Sequence, residues 1–411
     1  MSVDIDDIED YLEKHQNKQL LRFVAVGSVD DGKSTLIGRL LHDTQGVYED
    51  QLDDARKNAK PGREIDFALI TDGLAAEREQ GITIDVAYRY FTTARRKFII
   101  ADTPGHVQYT RNMATGASTA DVCVMLMDAR LGVLQQSRRH GYIASMLGIP
   151  NLLVCINKMD LVDFDESRYE ALKADFEAVV QGLSFQSVTF LPVSALDGDN
   201  VVTKSERTPW YSGPSLLEHL ETIDIVRDRG EEAFRLPIQY VIRPNQNYRG
   251  FAGQIASGSI AIGDEVSILP LQTSSRVEGI EIAGEPAEEA FAPMSVTLRL
   301  ADEVDVSRGS MIVRVGEELL VERTFDAHLV WMSERPLDLG KSYLLKHTTR
   351  YVRAGLHDVN WKLDMDTLEE CPASGLELND IGRVTVTAHQ PLYFDAYEDN
   401  RGLGAFVVVD S

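Results

Sequence analysis

Eight consecutive residues, Gly27-Ser28-Val29-Asp30-Asp31-Gly32-Lys33-Ser34, followed by Thr35, fit the pattern G-x-x-x-x-G-K-[ST]. That spacing binds phosphate: the glycines let backbone N–H groups turn inward, and the N-terminus of a following helix adds its positive dipole. Lys33 then reaches the β- and γ-phosphates, and the Ser34 hydroxyl ligates Mg²⁺. For Asp30, a turn role and a share in holding a monovalent cation are both open. Asp102-Thr103-Pro104-Gly105 supplies a carboxylate that can hold Mg²⁺ through a water and a Gly105 N–H for the γ-phosphate. Taken alone it also reads as an ordinary turn after a strand. In Asn157-Lys158-Met159-Asp160, the Asp160 carboxylate can accept from guanine N1–H and N2–H₂, a donor pair that adenine lacks, while Asn157 and the stem of Lys158 brace and cover the base. Ser194-Ala195-Leu196 can offer the Ala195 N–H to guanine O6. The order of the four stretches predicts Mg²⁺-dependent binding of GTP rather than ATP, followed by hydrolysis. Gly340-Lys341-Ser342 ends like a second phosphate loop, but Arg335 occupies the place of its first glycine, and Pro336 to Leu339 read as a turn into a strand.

Such groups work only if strand ends bring them together. From Leu21 to Leu220, apolar runs at Phe23–Gly27, Ile82–Phe91, Phe98–Asp102, Val122–Asp128, Leu152–Ile156 and Val188–Val193 alternate with helical stretches at Lys33–Leu41, Gln136–Leu147 and Glu166–Gln181. This alternation predicts an α/β domain with a mostly parallel sheet and helices on both faces, whose ligands sit at the carboxyl ends of the strands. A last helix is expected over Ser215–Asp228. From Phe234 onward the pattern becomes short strands between turns: Arg235–Ile242, Gly250–Ser257, Glu265–Leu269, Val296–Leu300, Thr324–Val330 and Arg383–Ala388. Two all-β barrels are expected there. The domains are therefore placed at 1–232, 233–323 and 324–411, with the second division near Val321–Arg323. Phe185, Trp210 and Tyr211 are expected in packing rather than as surface anchors, and the acidic run Glu49–Asp54 as a solvated helix face.

The chain has 411 residues, 44% of them hydrophobic, and a formal net charge of −24. That charge disfavours bulk binding of a phosphate backbone, so no nucleic-acid partner is expected. No apolar run approaches the ~18 residues of a membrane span, and the acidic N-terminus lacks a signal pattern. Cys123, Cys155 and Cys371 make neither a disulfide framework nor a metal-ligand spacing. A cytoplasmic protein without a membrane partner is expected.

With these residues in view, the chain resembles the GTP-binding proteins of the translation-factor class. Gly81-Ile82-Thr83-Ile84 matches the segment that carries that class's mobile-loop threonine, which implies that Thr83 completes Mg²⁺ and γ-phosphate coordination. His106 matches the histidine that positions the attacking water. Within the class, the protein-synthesis factors usually read His-Val-Asp-His between the loop glycines, where this chain reads Ser28-Val29-Asp30-Asp31. The stretches Asp66-Phe67-Ala68, Asp72-Gly73-Leu74, Ala76 to Phe91, Lys97 to Asp102 and Gln108 to Ser118 are similar instead to the GTPase (large) subunit family of bacterial sulfate adenylyltransferase.

That resemblance implies a smaller catalytic (ATP sulfurylase) subunit as partner, making adenosine 5′-phosphosulfate and pyrophosphate from ATP and sulfate. Hydrolysis of GTP here would drive that uphill reaction. The chain agrees in lacking a second nucleotide loop and a His-x-Gly-His motif. In some relatives an adenylylsulfate kinase is fused after the β-domains; this chain ends at Ser411, so a kinase would be an associated partner or part of a longer parent. Segments between the phosphate loop and a threonine such as Thr83 order around the γ-phosphate and relax after hydrolysis, so Leu41–Gln80, above all Asp66–Gln80, is expected to report nucleotide state to the partner. The rival readings are a carrier of aminoacyl-tRNA, opposed by the stretch Asp66 to Phe91, and a GTPase that acts without a catalytic partner.

Overall fold

A computed structural model describes residues 18–47, 49–59, 65–71, 85–106, 109–225, 232–245, 248–365 and 367–410. The chain divides into two compact units, Met1–Ile225 with Asp364–Glu369, and Val226–Leu363 with Glu370–Ser411.

In the first unit, β1 (Leu20–Val26) leads into α1 (Lys33–Asp43), α2 (Glu49–Lys57) and the single turn α3 (Ala68–Thr71). Then come β2 (Ala87–Thr92), β3 (Lys97–Asp102), α4 (Thr110–Ala117), β4 (Val122–Asp128), α5 (Gln135–Met146), β5 (Asn151–Asn157), α6 (Glu166–Val180), β6 (Ser187–Pro192) and α7 (Leu216–Thr222). The six strands form one sheet in the order β2-β3-β1-β4-β5-β6, parallel except for β2. Both faces of the central strands are apolar because both are covered. Phe23, Ala25, Val124, Leu126 and Cys155 join Leu36, Ile37 and Leu40 of α1 and Leu216 and Leu220 of α7 in one core. The alternate residues Val24, Cys123, Met125 and Val154 are equally buried. They belong to the opposite face, where a Cβ on Gly141 of α5 would touch Met125 at 3.8 Å and Phe176 of α6 at 3.7 Å.

β2 starts at Ala87, later than the strand expected over Ile82–Phe91; Ile82–Ile84 lie outside the described residues. Just before β2, the Val86 N–H donates to the Asp85 carboxylate at 2.7 Å, a local bond that competes with a ladder bond. The last helix is shorter than Ser215–Asp228. It opens on a capping box between Ser215 and Glu218, and Ile223 is already extended at ψ 132°. Trp210 and Tyr211 are half-buried against Tyr169. The acidic run lies on α2, of whose residues only Ala55 is buried.

The second unit is antiparallel. Its first sheet contains β7 (Arg235–Ile242), β8 (Gly250–Gln254), β10 (Glu265–Leu269), β11 (Thr273–Ile282), β12 (Glu285–Ala287), β14 (Ser295–Leu300) and β15 (Met311–Arg314). Their order is β10-β15-β7-β8-β14-β11-β12, and a β10–β11 pairing closes it into a barrel. β9 (Ser259–Ala261) and β13 (Glu289–Phe291) pair beside it. The second sheet runs β16 (Leu320–Val330), β20 (Ile381–Phe394), β18 (Arg350–Leu363), β17 (Ser342–His347) and β21 (Phe406–Val409), with β19 (Glu370–Cys371) on β18. Val321–Arg323 is strand, within β16. Gly340 and Lys341 form the turn that enters β17, so the second phosphate-loop look-alike is a hairpin feature.

Candidate nucleotide site

β1 and β3 are parallel, with Ala25 opposite Asp102. Their carboxyl ends therefore release the Gly27–Ser34 loop and the Asp102–Gly105 turn side by side, and a Thr103 Oγ1 bond to the Ala25 carbonyl (2.7 Å) pins the turn. The turn lies against the loop: a Cβ on Gly105 would collide with Lys33 Nζ and come within 2.7 Å of the Gly27 carbonyl. Gly32 has φ 93° and caps α1, a backbone that a side chain would strain, and a Cβ there would meet the Asn157 amide at 2.5 Å. A helix so begun leaves its first N–H groups without intrahelical partners, ready for an anion.

Lys33 is buried, and Nζ donates to the carbonyls of Gly27 (2.9 Å) and Ser28 (2.8 Å). Burial drives its pKa down against the pull of Asp31, Asp102 and Asp30. The Asp31 carboxylate, also buried, accepts the Ser28 N–H at 2.6 Å, yet burial outweighs Lys33 and raises it to about 6.

The Asn157–Asp160 segment holds this loop from the other side. Asn157 Nδ2 donates to the Asp31 carbonyl (2.7 Å), while its Oδ1 accepts the Ala195 N–H (3.0 Å). The amide expected at guanine O6 is thus engaged by Asn157. Lys158, in the left-handed region at φ 63°, sends Nζ to the Asp30 carbonyl and to Asp128 Oδ2 (2.9 Å). Asp160, half-buried, accepts from Ser194 Oγ at 2.7 Å, which fixes the orientation of the carboxylate.

His106 follows directly on Gly105 and is exposed, its ring 6.1 Å from Tyr109. Thr83 lies outside the described residues. Val29 and Asp30 are exposed on the loop, and Ser34 and Thr35 open α1. The Leu196 carbonyl accepts from Arg39 Nη1 of α1 at 3.0 Å, which ties the third loop to the first.

Two contributors escaped the sequence reading. Asp128, the last residue of β4, receives a two-pronged bond from Arg130 (2.7 and 3.0 Å) besides the Lys158 contact. Burial pushes its carboxyl up, but those bonds outweigh burial and hold it at about 2. A carboxylate ending the apolar run Val122–Met127 was the available signal. Arg39 gave none, because its partner is 157 positions away.

Among the described residues, no three His, Cys, Asp or Glu side chains converge as metal ligands. The donors beside the phosphate loop are instead the Ser34 hydroxyl and the buried Asp102 carboxylate. Hard oxygen ligands in small number suit Mg²⁺, which keeps waters and takes the rest of its shell from phosphates.

The model of the Elongation factor Tu GTP binding domain matches residues 18–227, and that of the GTP-eEF1A C-terminal domain matches 324–411. Proteins called sulfate adenylyltransferase subunit 1 are similar over nearly the whole chain. That of Teredinibacter turnerae is 54% identical across 98% of this chain and 87% of its own. Those of Cellvibrio japonicus and Bacteroides fragilis are 53% and 52% identical over 98% of this chain and 86% of theirs. A structure of Sup35 with GMPPNP superimposes at a TM-score of 0.42 and 25% identity, covering 100% of this chain and 96% of that one.

Proposed function

The chain belongs to the sulfate adenylyltransferase subunit 1 family, and from that premise we propose that it is the GTPase subunit of an ATP sulfurylase. Its hydrolysis of GTP drives a smaller catalytic subunit to make adenosine 5′-phosphosulfate and pyrophosphate from ATP and sulfate. The observation that carries this is the junction at Asn157, where one amide side chain joins the phosphate loop at Asp31 to the Ala195 loop. It supports a site that reads base and phosphates as one ligand.

In this mechanism Lys33 leaves the carbonyls of Gly27 and Ser28 for the β/γ-phosphates, and the loop amides from Gly27 to Thr35 share the charge. Asp160, held by Ser194, takes guanine N1–H and N2–H₂. Guanine O6 is met along Ser194–Leu196, where Ala195 shares its N–H with Asn157. Ser34, Thr83 and, through a water, Asp102 would hold Mg²⁺, and the ion would supply neutralisation of the charge that develops on the phosphates. Gly105 N–H bonds the γ-phosphate, and His106 orients the attacking water, a task of positioning more than proton transfer.

The catalytic subunit is the partner expected, in the cytoplasm, with an adenylylsulfate kinase either associated or carried by a longer chain. No helix among the described residues is long and apolar enough to cross a membrane. The test is turnover of ATP plus sulfate by the purified catalytic subunit, with and without this chain and GTP. Stimulation that needs both is expected; product formation indifferent to GTP would sink the proposal.

A further inference from the structure

Asp31 sits inside the phosphate loop at 1% exposure. One carboxylate oxygen, Oδ2, accepts the Ser28 N–H at 2.6 Å, and the Asp31 carbonyl accepts from Asn157 at 2.7 Å. The other oxygen, Oδ1, is buried and has no hydrogen-bond partner among the described residues. Bracing Ser28 takes one acceptor and no charge, so an asparagine would serve as well. The charge therefore has to be explained separately, because a buried, half-satisfied carboxylate costs stability.

The groups that face Asp31 are Lys33 from the start of α1, Asp128 from the end of β4, and Lys158 after β5. Lys33 also faces Asp30 and Asp102. Lys158 is committed to Asp128 and to the Asp30 carbonyl. Lys33 thus feels Asp30, Asp31 and Asp102 together, and Lys158 adds only the smallest of the pulls on Asp31, in a site built to admit a polyphosphate. A charge as buried as that of Asp31 repels a like charge far more than it would in solvent.

We propose that Asp31 is a positioning residue that braces the phosphate loop with one carboxylate oxygen and, through its charge, limits how tightly that loop retains guanine nucleotide. GDP then leaves readily after each hydrolysis. The inference rests on the guanine-nucleotide site described under Proposed function.

The experiment is displacement of a fluorescent GDP analogue from the full chain, for the wild type, Asp31→Asn and Asp31→Ser. Asp31→Asn keeps an acceptor for Ser28 and removes the charge, so GDP should bind roughly fivefold tighter or more. Asp31→Ser, also neutral with an acceptor, carries the same test if Asp31→Asn fails to fold. The gap between wild type and variant should close as pH falls through about 6, where the wild-type carboxylate takes up its proton. A structural role alone produces no tightening. Unchanged or weaker GDP binding in a folded neutral variant overturns the proposal. Failure of the wild type to bind any guanine nucleotide instead overturns the site assignment beneath it.

Discussion

Lys33 in the first unit and Arg235 in the second are both buried cations, at 7% and 2% exposure, with opposite surroundings. Arg235 is matched group for group. Its guanidinium meets Glu317 at 3.1 Å, Asp395 through Nε and Nη2 at 3.1 Å each, and the carbonyls of Phe234 and Glu318. Asn400 steadies Asp395 in turn at 3.2 Å. Around it Leu269, Met311 and Val313 of the first barrel pack on Tyr393 and Leu403 of the second sheet. Lys33 Nζ donates to two loop carbonyls, and the pull of Asp31, Asp102 and Asp30 does not outweigh its burial. A fully paired buried charge fastens structure together. An underpaired one keeps affinity for an anionic ligand.

Exchanging the two losses is the strongest way to break that contrast. Lys33→Ala should cut GTP turnover by roughly 10³–10⁵-fold, the range for a lost phosphate clamp. It should leave thermal unfolding of the chain near wild type, because burial of the ammonium already outweighs the pull of Asp31, Asp102 and Asp30, so losing the costly charge offsets losing that attraction. Arg235→Ala should do the reverse. It strands Glu317 and Asp395, so the second unit should lose about 3–4 kcal/mol in denaturant unfolding, while GDP affinity stays unchanged. A destabilised Lys33→Ala, or a nucleotide defect in Arg235→Ala, would show that the two sites do not divide the work in this way.

The contrast also explains what the sequence could reveal. The phosphate loop was legible because its chemistry is local: glycine backbone, one lysine and a helix start lie within eight residues. The sheet was legible because parallel strands need apolar runs on both faces, and β1, β4 and β5 have them. Arg235 carried no such mark, since its carboxylates lie 82 and 160 positions away. The Asp128 clamp depends on sheet order, which sets β4 beside β5 so that Asp128 pairs with Asn157 and meets Lys158. The end of α7 was misjudged because helical periodicity continued past Thr222, while Ile223 turned to extended backbone. Short-range chemistry can be read from spacing, but long-range charge matching needs the topology first.

Asp160 sharpens the contrast within the first unit, since its carboxylate is positioned by Ser194 rather than neutralised by a cation. Asp160→Asn should weaken GTP binding roughly 10²-fold, the value of two charge-assisted bonds. It should also move preference towards xanthine nucleotides, whose base presents an acceptor to the new amide. Competition titration with GTP and XTP would measure both effects. Equal GTP affinity in wild type and variant would remove Asp160 from the base-reading role.

The smallest expected effect separates two neighbouring carboxylates by sign. Asp128 is held at about 2, below an unfolded value of 3.8, by Arg130 and Lys158 acting against burial. The unfolded chain binds its proton first, so Asp128 contributes stability above about pH 4 that is lost as pH falls through about 2. The full contribution is about 2 kcal/mol, and Asp128→Asn should remove that acid-side slope from unfolding curves. Asp31, raised to about 6 by burial, runs the other way. There the folded chain binds the proton first, so the first unit loses stability as pH rises from about 4 through 6. Asp31→Asn should abolish that loss and leave the acid limb unchanged. If both substitutions altered the same limb in the same direction, the matched and unmatched carboxylates would be one coupled system, and the contrast between paired structural charge and underpaired functional charge would not extend inside the nucleotide site.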